Sequence, residues 1–119
     1  MSLCPHILLV EDHVGARDVL CQLLGRFGYE VDSVGTYQAA REALNCSQFH
    51  VLLSDLDLPD GDGLHLVREA KRRQDLKAIA ITAHPDDYNS ERAKAAGFDH
   101  YLTKPFDPNE LRSLLEGVD

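Results

Sequence analysis

Three features of this sequence predict a doubly wound α/β fold. Short apolar runs recur at His6-Ile-Leu-Leu-Val10, Val51-Leu-Leu53 and Ala78-Ile-Ala-Ile81, the signature of strands covered on both faces in a parallel sheet. Segments with helical apolar spacing lie between them. The connections are short, and right-handed crossovers between parallel strands then place helices on both sides of the sheet. The expected architecture is a single domain over residues 1–119, five strands alternating with five helices, without internal repeat or low-complexity tract.

Each element has its own local reason. The first strand, His6 to Val10, ends in Glu11-Asp12. From Ala16 the apolar residues Ala16, Leu20, Leu23, Leu24 and Phe27 form one stripe of an amphipathic helix, stopped by Gly28. Tyr29 to Val34 alternates loosely as a strand. Tyr37 to Leu44 carries a small-residue face through Ala39, Ala40, Ala43 and Leu44, with Thr36 as its cap. The strand beginning at Val51 breaks off at Asp55, and Pro59, Gly61 and Gly63 punctuate the loop that follows.

Leu64 to Arg73 reads as a helix with Leu66, Val67 and Ala70 inward. Its basic end, Lys71-Arg72-Arg73, suits the helix dipole. The strand Ala78 to Ile81 terminates in Thr82-Ala83. A weaker helix, Ser90 to Ala96, is closed by Gly97, and His100 to Thr103 is a last strand leading into Lys104-Pro105. The final helix has the clearest start: Asp107 as N-cap, Pro108 at the first helical position and Glu110 three residues after the cap, with Leu111, Leu114 and Leu115 as the buried stripe.

Composition excludes several function classes. A chain of 119 residues with 44% hydrophobic content can bury a core without metal or disulfide staples. No apolar run reaches membrane-spanning length, and Met1 to Pro5 lacks the pattern of a secretion signal, so a cytoplasmic location is expected. Met1-Ser2-Leu3 reads as a vector remnant. Cys4, Cys21 and Cys46 match neither a zinc nor a CxxC pattern, and reduced thiols are expected. The six histidines show no HExxH-type pairing. A net charge of −8 argues against direct nucleic-acid binding.

The strand ends carry the chemistry. In an open α/β sheet, ligands bind beyond the carboxyl ends of the strands at the point where the strand order reverses. A flavodoxin-like order 2-1-3-4-5 brings Glu11, Asp12 and Asp55 together there, with Thr82 and Lys104 on the neighbouring strands. Clustered carboxylates repel one another and stay ionised only with a counter-ion. A hard divalent cation such as Mg²⁺ fits, because it prefers oxygen ligands and is commonly shared between carboxylates and phosphate oxygens. Asp12 and Asp55 are then direct ligands and Glu11 acts through water. Lys104 and the Thr82 hydroxyl hold the remaining phosphoryl oxygens, and Asp55 is placed as the nucleophile. Taken singly, each residue also has a structural reading: a turn former, a helix cap, a local ion pair. It is their combination at successive strand tips that favours chemistry.

These motifs resemble the bacterial receiver (response regulator) domain of two-component signalling, matched from His6 to Leu115. The residues that carry the resemblance are Glu11-Asp12, Asp55 with Leu58-Pro59-Asp60-Gly61, Thr82-Ala83, Tyr101 and Lys104-Pro105-Phe106. The resemblance implies that Asp55 is the phosphoacceptor, that Glu11 and Asp12 form the acidic pocket, and that the backbone carbonyl of Asp57 is the third protein ligand to the metal. It further implies that Thr82 and Tyr101 form a switch pair and that Lys104-Pro105 is a cis peptide. The implied partners are a sensor histidine kinase or phosphotransfer domain and a downstream protein. Asp57 and His84 depart from common choices at the pocket mouth, and Val10-Glu-Asp-His13 with Ala96-Gly-Phe-Asp99 looks most like receivers attached to hybrid sensor kinases. The chain is read as either a stand-alone receiver or a fragment. Homodimerisation through the fourth helix, last strand and fifth helix is an arrangement the resemblance allows.

Two other readings stand beside this one. Asp55-Leu56-Asp57 looks like the nucleophile and acid/base pair of a haloacid-dehalogenase-type phosphatase, although such enzymes place the pair on the first strand. The third reading is a receiver-shaped binding module that works without phosphate. Gly61-Asp-Gly63 is only a fragment of a dinucleotide fingerprint and follows the wrong strand.

Overall fold

The computed structural model describes residues 5–87 and 89–116, so Cys4 and the Met1-Ser2-Leu3 reading lie outside it. The elements run β1 (His6–Val10), α1 (Val14–Arg26), β2 (Glu30–Val34), α2 (Tyr37–Cys46), β3 (Val51–Asp55), β4 (Asp57–Leu58), β5 (Gly61–Asp62), α3 (Gly63–Arg73), β6 (Lys77–Thr82), α4 (Ser90–Ala96), β7 (His100–Thr103) and α5 (Pro108–Leu115). The main sheet is parallel throughout, with order β2-β1-β3-β6-β7. Counting its five strands alone, this is the expected 2-1-3-4-5 arrangement. The difference lies after Asp55, where the expected loop contains a small antiparallel pair: Asp57 faces Asp62 and Leu58 faces Gly61.

Successive residues of a strand point to opposite faces, and the continuous apolar runs therefore feed two cores. Leu8, Val10, Leu52, Ala78 and Ala80 join Ala40, Leu44, Leu66, Val67, Ala70 and Ala93 beneath α2, α3 and α4. Ile7, Leu9, Leu53, Ile79 and Ile81 join Leu20, Leu24, Leu111 and Leu115 beneath α1 and α5. Each fully buried leucine contributes about 1.5–3 kcal/mol relative to an exposed one. β2 is the half-exposed edge, which explains its loose alternation.

The helix signals are largely borne out, with two shifts. The Thr36 hydroxyl accepts from the Ala39 N–H at 3.0 Å. Asp107 and Glu110 form a reciprocal capping box at the start of α5. Gly28 and Gly97 adopt φ of +96° and +128°, which lets each follow a helix end without a Cβ penalty. α1 starts at Val14, ahead of the expected Ala16, because His13 occupies the cap position without a side-chain hydrogen bond and leaves no motif to read. Leu114 is half-buried rather than fully inside, being the flank of a stripe centred on Leu111 and Leu115.

Candidate functional site

The central pairing of β1 with β3 puts Val10 beside Ser54, so the residues that follow leave the sheet side by side. Glu11 and Asp55 emerge there with their side chains almost wholly buried, whereas Asp12 is exposed. Carboxylate oxygens of Glu11, Asp12 and Asp55 lie within 4.8 Å of one another. A cation enters from the far side of the sheet. β7 pairs with β6 through Thr103 and Thr82, the Lys104 N–H then donates to the Thr82 carbonyl at 2.8 Å, and the Lys104–Pro105 peptide is cis. The Lys104 side chain turns back over the strand tips, where its Nζ donates to Glu11 and lies 3.3 Å from Asp55 Oδ2.

Burial pushes the Asp55 carboxyl up from its ordinary pKa. The Lys104 ammonium and the Asp57 N–H, which donates to Asp55 Oδ1 at 3.2 Å, offset that rise only in part, and Glu11 adds to it. Burial by itself would favour a neutral Lys104 amine. Its hydrogen bond to Glu11 and the attraction of Asp55 and Glu11 outweigh burial, so the ammonium is held above its usual range. Against three grouped carboxylates there is one ammonium, and a net negative charge remains.

The groups sit in an open cavity of about 380 Å³, with Asp57, Ala83 and His84 also in its wall. Hard oxygen donors at this spacing, carrying excess negative charge, fit a small divalent cation. The seat itself is shaped by the backbone. A Cβ on Gly63 would lie 2.7 Å from the Asp55 carbonyl oxygen and 2.8 Å from Leu56 Cα, so only glycine lets α3 start this close beneath the acid.

Not every expected residue meets the cavity. Thr82 is buried, and its Oγ1 accepts from the His84 N–H at 2.9 Å, so it stands behind the wall formed by Ala83 and His84. Tyr101 is half-buried on β7, in register with Ala80 and packed against the core beneath α2, α3 and α4. Burial first, then the nearby Asp86 charge, raises its hydroxyl pKa. Sequence reasoning used His13 only within the Val10-Glu-Asp-His13 resemblance and missed that it lines the cavity, its N–H donating to Glu11 Oε2 at 3.1 Å. It also passed over Arg17, whose Nη1 donates to the Glu11 carbonyl at 3.1 Å across Gly35. Arg17 carries no motif, and its contact with the Glu11 carbonyl is set by how α1 packs rather than by any local pattern.

The pattern of the response regulator receiver domain matches residues 7–116. The chain belongs to the response regulator receiver domain family. Among curated relatives, the receiver is 31% identical over 115 residues to the phosphate regulon transcriptional regulatory protein PhoB of Escherichia coli K12, covering 94% of this chain and 50% of PhoB. It is 34% identical over 123 residues to the transcriptional regulatory protein AruR of Pseudomonas aeruginosa, covering 99% of this chain and 50% of AruR. It thus spans about half the length of these relatives. Among solved structures, a CheY-like receiver domain from Methylobacillus flagellatus superposes with a TM-score of 0.87 at 28% identity, covering 98% of this chain and 99% of that one. The receiver domain of a sensor histidine kinase from Pseudomonas aeruginosa PAO1, at 31% identity, superposes with a TM-score of 0.84 and 97% coverage of both chains. That structure has a magnesium ion coordinated in its active-site cleft. In the present receiver, no helix among the described residues is long and apolar enough to cross a membrane.

Proposed function

We propose that this receiver is a phosphorylation-dependent switch that takes a phosphoryl group onto Asp55 from a phosphohistidine on a sensor histidine kinase or phosphotransfer domain. The observation that carries the proposal is the clustering of Glu11, Asp12 and Asp55 at the strand-order reversal, with the Lys104 ammonium reaching Glu11 and Asp55. Asp12, Asp55 and the Asp57 carbonyl would hold Mg²⁺, with Glu11 acting through water. The ion would supply charge neutralisation for the phosphoryl oxygens.

The chain's own residues do the rest. An Asp55 carboxylate oxygen attacks phosphorus in line, the phosphorus–nitrogen bond to the donor imidazole breaks, and that nitrogen keeps the electron pair. Lys104, already 3.3 Å from Asp55, is placed to hold one transferred oxygen. Thr82 serves as the switch hydroxyl: drawn to a phosphoryl oxygen, it gives up its bond to the His84 N–H and opens space toward Tyr101, so that the surface around α4, β7 and α5 changes. The domain acts as one signalling unit in the cytoplasm, and the downstream protein reads that surface.

A haloacid-dehalogenase-type phosphatase is less well supported, since Asp55 ends the third strand of the chain rather than the first. A phosphate-independent module does not explain a half-buried ammonium set between two buried acids. The test is incubation with acetyl phosphate and Mg²⁺ followed by mass spectrometry. A phosphoryl increment on Asp55, absent in Asp55→Asn and absent without Mg²⁺, is the expected result; equal labelling of the variant ends the proposal.

A further inference from the structure

The outward face of α3 presents His65, Arg68 and Arg72, three exposed residues within about 60° of arc on a helix of 3.6 residues per turn. They point away from the buried Leu66, Val67 and Ala70. Most other cations on the described residues are engaged within the chain. Arg41 and Arg73 pair with Glu69, Lys71 with Asp99, and Lys104 with Glu11 and Asp55. Arg68 and Arg72 make no ion pair with any described carboxylate. Arg92 and Ala95, one turn apart on α4, line a groove of about 240 Å³ together with Arg68, His65, Leu64 and Asp62, and Arg92 Nη1 also donates to the Asp87 carbonyl.

We infer that this α3–α4 groove docks an acidic segment of a partner protein, whose carboxylates pair with Arg68, Arg72 and Arg92 while its methylene groups lie against Leu64 and Ala95. Charge complementarity selects the occupant. The chain carries a net charge of −8, so a nucleic acid extending beyond the patch meets repulsion, screened only over about 8 Å at physiological salt. A short run of glutamates spans the patch without leaving it. A compact phosphate held in the groove would share it with the Asp62 carboxylate, which disfavours a concentrated double charge there. Guanidinium forks on two helices favour paired, planar carboxylate contacts. This inference does not rest on phosphoryl transfer, because the groove shares no residue with the strand-tip cavity.

The experiment titrates the chain into fluorescein-labelled hexaglutamate, with inorganic phosphate, a single-stranded oligothymidylate and hexalysine as competing probes. Saturable binding is expected that weakens about tenfold or more in Arg68→Glu/Arg72→Glu and with added salt. Amide shifts should centre on His65, Arg68, Arg72 and Arg92, and Asp55→Asn should bind as wild type. Arg68→Gln, a milder change at an exposed site, guards against loss of fold, which a thermal melt by circular dichroism monitors. Unchanged binding in both arginine variants, or competition by phosphate or oligothymidylate as strong as by unlabelled hexaglutamate, overturns the inference. So does self-association of the chain that Arg68→Glu abolishes, which makes a second copy the occupant. Loss of Asp55 labelling with hexaglutamate binding intact would remove the proposed function alone.

Discussion

Two charge-rich regions of this receiver are built from the same residue types and differ in balance. Between α2 and α3, Glu69 accepts a hydrogen bond from the Tyr37 hydroxyl at 2.5 Å, pairs with Arg41 at 3.1 Å and lies 3.9 Å from Arg73. One acid is surrounded by two cations and a hydroxyl. The Tyr37 hydrogen bond, helped by the arginines, holds Glu69 below its usual pKa despite partial burial. At the strand tips, three acids share one ammonium and Asp55 is pushed up instead. The first region closes on itself and holds two helices together. The second is left short of positive charge, a deficit that under the proposed function a divalent cation would fill.

The largest expected effect comes from deepening the imbalance. Lys104→Met leaves Glu11 and Asp55 buried without their ammonium, and should cost about 2–3 kcal/mol in urea unfolding, less than a fully buried pair because Lys104 remains partly exposed. Adding Mg²⁺ should restore part of that loss. Correcting the imbalance should act in the opposite direction. Mg²⁺ at 100 times its Kd should stabilise the wild type by about 2.7 kcal/mol, read as a rise in Tm that Asp12→Ala/Asp55→Asn abolishes. Absence of any Mg²⁺-dependent shift would remove the contrast drawn above.

Asp55→Asn alone should stabilise the metal-free protein by about 1 kcal/mol at neutral pH. The sign follows from the raised pKa: the stability contributed by Asp55 is present below its unfolded pKa and is lost as pH rises through its folded one. An ionised Asp55 is therefore a cost that asparagine removes, while phosphoryl labelling disappears. In the balanced region, Glu69→Gln should destabilise by about 1 kcal/mol. Glu69 has a lowered pKa, so its contribution is present above the unfolded value and fades as pH falls through the folded one. The gap between wild type and Glu69→Gln should accordingly shrink in acid. The effect that is smallest at neutral pH concerns Tyr37, whose hydroxyl is raised to about 12, by burial first and then by Glu69. The neutral phenol is the form the fold prefers, so stability should decline between about pH 10 and 12. Tyr37→Phe should flatten part of that slope, leaving the share of Tyr29 and Tyr101, which are also raised.

The ease of reading differed between the two regions for physical reasons. Glu11-Asp12 and Asp55 each close an apolar strand run, and a parallel sheet carries such ends to one edge, so local pattern plus strand order was enough to group the three acids, whereas Thr82 falls behind the cavity and Lys104 follows the mixed strand His100 to Thr103. The Glu69 cluster has no such device. Tyr37, Arg41 and Glu69 are polar residues on separate helices, and nothing in their spacing says that those helices pack side by side. Gln74 was equally silent: buried after α3, it accepts from the Phe49 N–H and donates to the Leu44 and Ser47 carbonyls, tying the end of α2 to the approach of β3. The hairpin of β4 and β5 was read as loop because its two-residue strands are too short to show alternation.

By itself, then, the amino-acid order determined the alternation of strands and helices, the two-sided burial of the sheet and the chemical identity of the groups at its carboxyl edge, since all of these follow from periodicity and residue type within short windows. Only the folded chain decided which acid is buried and which exposed at Glu11 and Asp12, that Lys104 bridges Glu11 and Asp55, that Thr82 is held behind the cavity by the His84 N–H, and that Arg68 and Arg92 share a groove. Those outcomes depend on distances between residues far apart in the chain, and on how much water each site retains. Neither is encoded in any local stretch.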